Sequence, residues 1–202
     1  SLSAVVQTLR SWRQHRPAFR VLMGYYLIND ALVTMVFFVV IVFQKRFGLD
    51  LEGLFWLSLL FHAVATPSTF VFGHLADRWE IRRTIYLQIA ILCTALALLA
   101  FAEGRHMPAA IIILLGLVFG SLQAACRSLF ASLTPIDRAA EFFGFNALAG
   151  RLSAALGPLT FSAVVAATGS EQAAVLSLIV FLVLGGLILS GVRTPAIGSP
   201  QA

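Results

Sequence analysis

The stretch "YYLINDALVTMVFF", residues 25–38, decides how this chain must be read. Apolar side chains occupy most of its positions, yet Asn29 and Asp30 stand in the middle. Extended to residues 20–44, the run is long enough to cross a bilayer as a helix, which needs about 20 mostly apolar residues. A carboxylate in such a helix is costly unless it is paired, hydrated or neutralised.

The rest of the chain has the same character. Of its 202 residues 59% are hydrophobic and 11% charged, where an ordinary soluble domain carries about 25% charged residues. Mean hydropathy is +0.92. This is the composition of an integral membrane protein. The net charge of +5 comes from basic residues scattered between long apolar runs, not from a stripe that would follow nucleic acid. Cys93 and Cys126 sit singly in apolar runs, so neither a metal motif nor a disulfide framework is expected, and no cofactor. No signal peptide precedes the first apolar run. The chain opens on Ser1 instead of Met, which suggests a fragment of a longer protein.

Six segments are long and apolar enough to span: about 20–44, 53–73, 84–101, 108–131, 142–167 and 172–193. Charged or turn-forming breaks such as "KRFGLDLEG" and "TPIDRAAE" separate them. The expected fold class is therefore an all-α membrane protein. Residues 1–19 read as a cytoplasmic amphipathic linker, with Val5, Leu9 and Trp12 among arginines, or as a solvated one. Residues 194–202 read as a disordered cytoplasmic tail.

With the N-terminus inside, the inner loops hold Arg10, Arg13, Arg16, Arg20, Arg78, Arg82, Arg83, Arg138 and Arg193. The outer ones hold Lys45, Arg46 and Arg105. That excess of inner basic residues predicts both termini in the cytoplasm.

Ten residues of helix separate Asp30 from Arg20, placing the carboxyl roughly 15 Å deep, near the middle of the hydrocarbon layer. Arg151 lies ten residues past Glu141 on a helix entering from the same side, so it reaches a similar depth. His62, on a helix entering from outside, is also near mid-depth. Asn29 and Asn146 add neutral polar groups. Asp30 and Arg151 are expected to face a wet vestibule, where they handle substrate or a proton; a structural latch between them is the alternative. His62 is a second proton candidate or a satisfied interior histidine. Arg127, near the inner end of its span, and Glu141 form a possible cytoplasmic-end gate, or Arg127 snorkels to lipid phosphate. Spans one, two, four and five carry these groups. Spans three and six carry no interior charge and read as lipid-facing supports.

"GHLADRWEIRR", residues 73–83, is the most specific local signal. Gly73 admits a close helix, Asp77 suits a cap or a basic partner, and Arg78, Arg82 and Arg83 hold the turn at the cytoplasmic face. In the fifth span "ALAGRLSAALGP" sets small residues on one face before Pro158, which invites a bend.

The loop resembles the signature of the major facilitator superfamily, G-x-L-A-D-R-x-G-x-[RK]-[RK]. Gly73, Leu75, Ala76, Asp77, Arg78, Arg82 and Arg83 match it, and Glu80 replaces the usual glycine. The stretches "FRVLMGYYLINDAL", "CRSLFASLTPIDRAAEFFGFNALAGRLSAALGPLTF" and "TGSEQAAVLSLIVFLVLGGLIL" look like the vacuole-effluxer-like branch, amino-acid exporters and their bacterial relatives. The resemblance implies the C-terminal six-helix half of a major facilitator fold, with residues 73–83 as a gating loop. It also implies a partner, an N-terminal six-helix half. The expected protein is a secondary transporter in a bacterial plasma membrane, not an enzyme. Arg151 would attract a carboxylate, and Asp30 would receive an amine or the coupling proton. The expected contacts are the bilayer, the other half and a small solute, with no nucleic acid. A non-transporting membrane scaffold on the same fold, or a half-size protein pairing with itself, are the other readings.

Overall fold

The computed structural model describes residues 16–135, 139–153 and 155–192; side chains at 145, 148, 149 and 151–153 lie outside the description. Seven helices are present among the described residues: α1 Arg16–Phe47, α2 Leu51–Arg78, α3 Ile81–Phe101, α4 Met107–Ser132, α5 Ala139–Ser153, α6 Leu156–Thr168 and α7 Glu171–Ser190. α1, α2, α3, α4 and α7 are long and apolar enough to cross a membrane.

The fifth span departs from the expectation of one helix over 142–167. In the described residues it is two helices, α5 and α6, with Ala155 in a turn before Leu156. Pro158 suits a helix start there: it lacks an N–H, and that lack costs least in a first turn, where the N–H would have no partner. Residues 16–19 of the expected linker are helical and continuous with the first span; residues 1–15 and the expected tail at 194–202 lie outside the described residues.

Local chemistry sets the other helix ends. Asp50 caps α2 by accepting a 2.9 Å bond from the Gly53 N–H. Ser170 caps α7 by accepting from the Ala173 N–H at 3.2 Å. Gly169 ends α6 in the left-handed conformation, φ 67°.

The core lies where α1, α3, α4 and α7 meet, with Val21, Ile28, Ile85, Leu92, Leu122 and Leu182 fully or almost fully buried. α1 packs mainly on α7, and α3 on α4 and α7. The backbones of α1 and α7 touch at Gly24 and Gly185. A β-carbon on either would lie 2.9 Å from the carbonyl oxygen of the other. Small residues allow such an approach, which matters in lipid because dispersion contacts and interhelical hydrogen bonds drive association there. Gln88 on α3 donates to Ser121 on α4 at 2.8 Å, and Tyr86 on α3 to the Gly186 carbonyl of α7 at 3.1 Å.

α3 and α7, expected as lipid-facing supports, each bury one side in the bundle, and α7 exposes Val180, Val183, Leu184 and Leu187 on the other. The uncovered helix is α2, with 6% buried. It rests on α4, where Ser68 donates to the Gly116 carbonyl at 3.1 Å. Exposed Phe55, Trp56, Phe70 and Val71 cover its outer side.

Basic side chains fasten the helix ends. Arg20 and Arg82 donate to the carbonyls of Gly191 and Ser190 at 3.0 and 3.1 Å, at the C-terminus of α7. At the other end Lys45 pairs with Glu171 at 2.6 Å. Arg46 donates to the Leu99 carbonyl at 2.8 Å and to that of Ala100, the last free carbonyls of α3.

Candidate functional site at the broken fifth span

Every fourth residue of α1 from Tyr26 to Phe38 meets the broken span. This follows from helix geometry, since i and i+4 share a face. The Tyr26 hydroxyl donates to the Asn146 backbone carbonyl at 2.9 Å and approaches Asn146 Oδ1 at 3.2 Å. Phe38 stacks on Phe161 of α6, with centroids 3.9 Å apart and planes 18° from parallel. Between these contacts lie Asp30 and Thr34, both against Gly157.

Asp30 is 1% exposed and Thr34 0% exposed. Neither carboxyl oxygen of Asp30, nor Oγ1 of Thr34, has a hydrogen-bond partner among the described residues. A β-carbon on Gly157 would lie 3.1 Å from the Asp30 carboxyl carbon and 3.0 Å from its backbone oxygen. Gly157 is the second residue of α6, so its N–H has no partner within that helix. Pro158 offers none, and Ala155 supplies no side-chain cap. A buried acid therefore faces the positive end of a half-helix.

This placement corrects one expectation. Asp30 faces the α1–α6 interface and not an open vestibule. The Arg151 side chain lies outside the described residues, so its pairing with Asp30 has no geometry to report. Asn29, next to Asp30, is half-buried.

His62 is exposed on α2, with Nδ1 2.8 Å from the Ser58 carbonyl and its ring edge-on to Phe61. Among the described residues no contact joins it to Asp30. Arg127 on α4 is exposed and donates from Nε to the Tyr25 hydroxyl at 3.2 Å. Glu141, also exposed, lies in the first turn of α5.

The expected gating loop is mostly helix. Gly73, Asp77 and Arg78 belong to the last turns of α2, and only Trp79 and Glu80 separate it from α3. Asp77 is exposed and does not cap α3, whose N-cap is Glu80 without a side-chain bond. Arg83 pairs loosely with Glu80 at 3.7 Å. Arg82 holds the end of α7.

Sequence reasoning overlooks Tyr26, and it treats Thr34 and Gly157 separately. The spacing 26, 30, 34, 38 is the signal that unites the face, but nothing in it says which helix the face meets.

Five spanning helices and one broken span, an acid at the break and basic clamps at the helix ends define a multi-pass membrane protein of major facilitator type, seen as one half of that fold. The chain belongs to the vacuole effluxer Atg22-like family, whose description matches residues 1–195. It is 31% identical over 194 residues to the uncharacterized MFS-type transporter YxiO of Bacillus subtilis, covering 94% of this chain and 44% of that protein. It is 28% identical over 183 residues to autophagy-related protein 22-2 of Emericella nidulans, covering 83% of this chain and 30% of that protein. The chain thus spans less than half the length of these curated relatives.

Proposed function

We propose that the chain is the C-terminal half of a secondary active transporter that moves a small polar solute, an amino acid, by alternating access. A second six-helix half supplies the facing wall. Transporters of this kind bind substrate near the bilayer midplane, often beside broken helices. One observation carries the reading: the buried, unpartnered Asp30 at the α5–α6 break. An acid so placed is expensive, and intramembrane acids commonly mark ion or proton pathways.

Burial favours a proton over a substrate amine as the partner of Asp30. Protonation removes the charge from a dry interface; ionisation draws the carboxylate toward the α6 N-terminus. A gain or loss of one proton therefore alters how firmly α1 holds α6. Arg151 serves the substrate carboxylate, with Asn29, Asn146 and His62 as polar neighbours along the route. Arg127 and Glu141 gate the cytoplasmic end. The excess of inner arginines supports both termini in the cytoplasm, and the likeness to the Bacillus subtilis protein supports a bacterial plasma membrane as the setting.

The test is amino-acid transport by the full-length protein in proteoliposomes under an imposed pH gradient. Asp30→Asn should abolish uphill movement and spare folding, and Arg151→Gln should abolish substrate-dependent flux. Unchanged transport in both variants would refute the assignment. A charge-swapped Asp30→Arg, Arg151→Asp protein that assembles and transports normally would show a structural latch instead.

A further inference from the structure

The end of the bundle opposite the Arg20 and Arg82 clamps holds a pocket of about 440 Å³. The last turns of α1, the end of α3 and the start of α7 enclose it. Val42, Leu99 and Val175 form its floor, and all three are buried. Lys45, Arg46, Glu171 and Gln172 stand around its mouth. Asp30 lies roughly 22 Å of helix away along α1, so the pocket is separate from the broken span.

The mouth has donors to spare. Lys45 gives Glu171 one N–H at 2.6 Å and keeps two more. Arg46 commits Nη1 to the Leu99 and Ala100 carbonyls, and its Nε and Nη2 have no hydrogen-bond partner among the described residues. The exposed Gln172 amide stands beside them. Two cations against one carboxylate leave a net charge of +1. Spare N–H groups and a positive balance select an oxyanion, phosphate above all. The volume is that of a site for a small organic molecule, so the anion carries a body behind it.

The helix ends fix the level of the pocket. The apolar run of α1 stops at Phe43, and that of α7 begins at Ala173. Basic side chains at such ends sit where hydrocarbon gives way to lipid headgroups. The oxyanion at that level is the phosphate of a phospholipid, with its glycerol just beneath. The pocket repeats this order, with charged and amide groups at the mouth and apolar side chains below.

We propose that this pocket binds a glycerol phosphate group, presented by an anionic phospholipid. Lys45 and Arg46 hold the phosphate, while Val42, Leu99 and Val175 take the glycerol and the first acyl carbons. The bound headgroup reinforces the exposed Lys45–Glu171 pair that joins α1 to α7. The site needs no transport activity, so it stands apart from the transporter reading.

Lys45 is the single lysine of the chain, which makes it a reporter of its own site. Full-length protein is placed in nanodiscs of phosphatidylcholine, with or without phosphatidylglycerol, and acylated with an N-hydroxysuccinimide ester. Mass spectrometry of the peptide carrying Lys45 gives the rate. Phosphatidylglycerol should slow acylation roughly tenfold, because a phosphate bonded to the ammonium holds it in its unreactive form. Arg46→Gln removes half of the phosphate site, and Val175→Phe fills the floor without a change of charge; each should abolish most of the protection. No slowing by phosphatidylglycerol would overturn the proposal. So would slowing that persists in either variant that folds, since it would mark a general surface-charge effect. Soluble glycerol 3-phosphate, added to the phosphatidylcholine nanodiscs, identifies the source. Protection as strong as that by the lipid would overturn the lipid assignment in favour of a free phosphate ester, and no protection supports the lipid.

Discussion

Thr34 Oγ1 occupies the space that a β-carbon on Gly157 would need. The two residues lie more than 120 positions apart in the chain, and their contact holds α1 against the start of α6. The backbone oxygen of Asp30 bounds the same space from the other side. Only glycine fits there.

Gly157→Ala should therefore destabilise the folded protein by about 1–3 kcal/mol, the usual cost of overpacking a filled interface. Thr34→Ala removes one of the two obstacles and should restore part of that loss. A double-mutant cycle of thermal unfolding in detergent reads the coupling, and independent losses would show that the two residues do not share this space.

Asp30→Asn removes a charge that lacks a full partner. Thermal stability should hold or rise, as it does when an uncompensated buried charge is neutralised. A loss of about 3–5 kcal/mol would instead reveal a tightly paired carboxylate.

The two clamps near the C-terminus of α1 differ in kind. Lys45 and Glu171 form an exposed pair, with side chains 66% and 29% accessible, so Lys45→Met should cost no more than about 1 kcal/mol. Arg46 holds two carbonyls at the end of α3, and Arg46→Met should cost about 1–3 kcal/mol because those acceptors lose their donor. Unfolding midpoints of the two variants give the comparison directly.

Arg82 and Arg83 are neighbours with unequal work. Arg82→Gln frees the Ser190 carbonyl and should lower the unfolding midpoint. Arg83→Gln touches only a loose exposed pair and should leave the midpoint within experimental scatter. Equal losses in both variants would restore the view of residues 73–83 as one functional loop.

Much of this architecture is written in local sequence. Runs such as 84–101 announce membrane helices because lipid offers the backbone no hydrogen bonds and leaves the helix as its own partner. Asp50, Ser170 and Gly169 mark helix ends because capping and a positive φ need those residue types within a few positions of chain. Pro158 announces a disturbance in the fifth span for the same local reason.

What sequence leaves open is which faces meet. The depth of Asp30 follows from counting helical rise, but its burial under α6 depends on where two distant helices cross. The roles of Arg46 and Arg82 as clamps on carbonyls more than 50 and 100 residues away are equally invisible to local pattern. Sequence by itself determined the medium, the helices and the presence of an acid within them, since each follows from side-chain transfer energies and short-range backbone bonding. Tertiary structure alone decided that the acid meets a helix terminus, because close packing between remote segments selects the partner of each face.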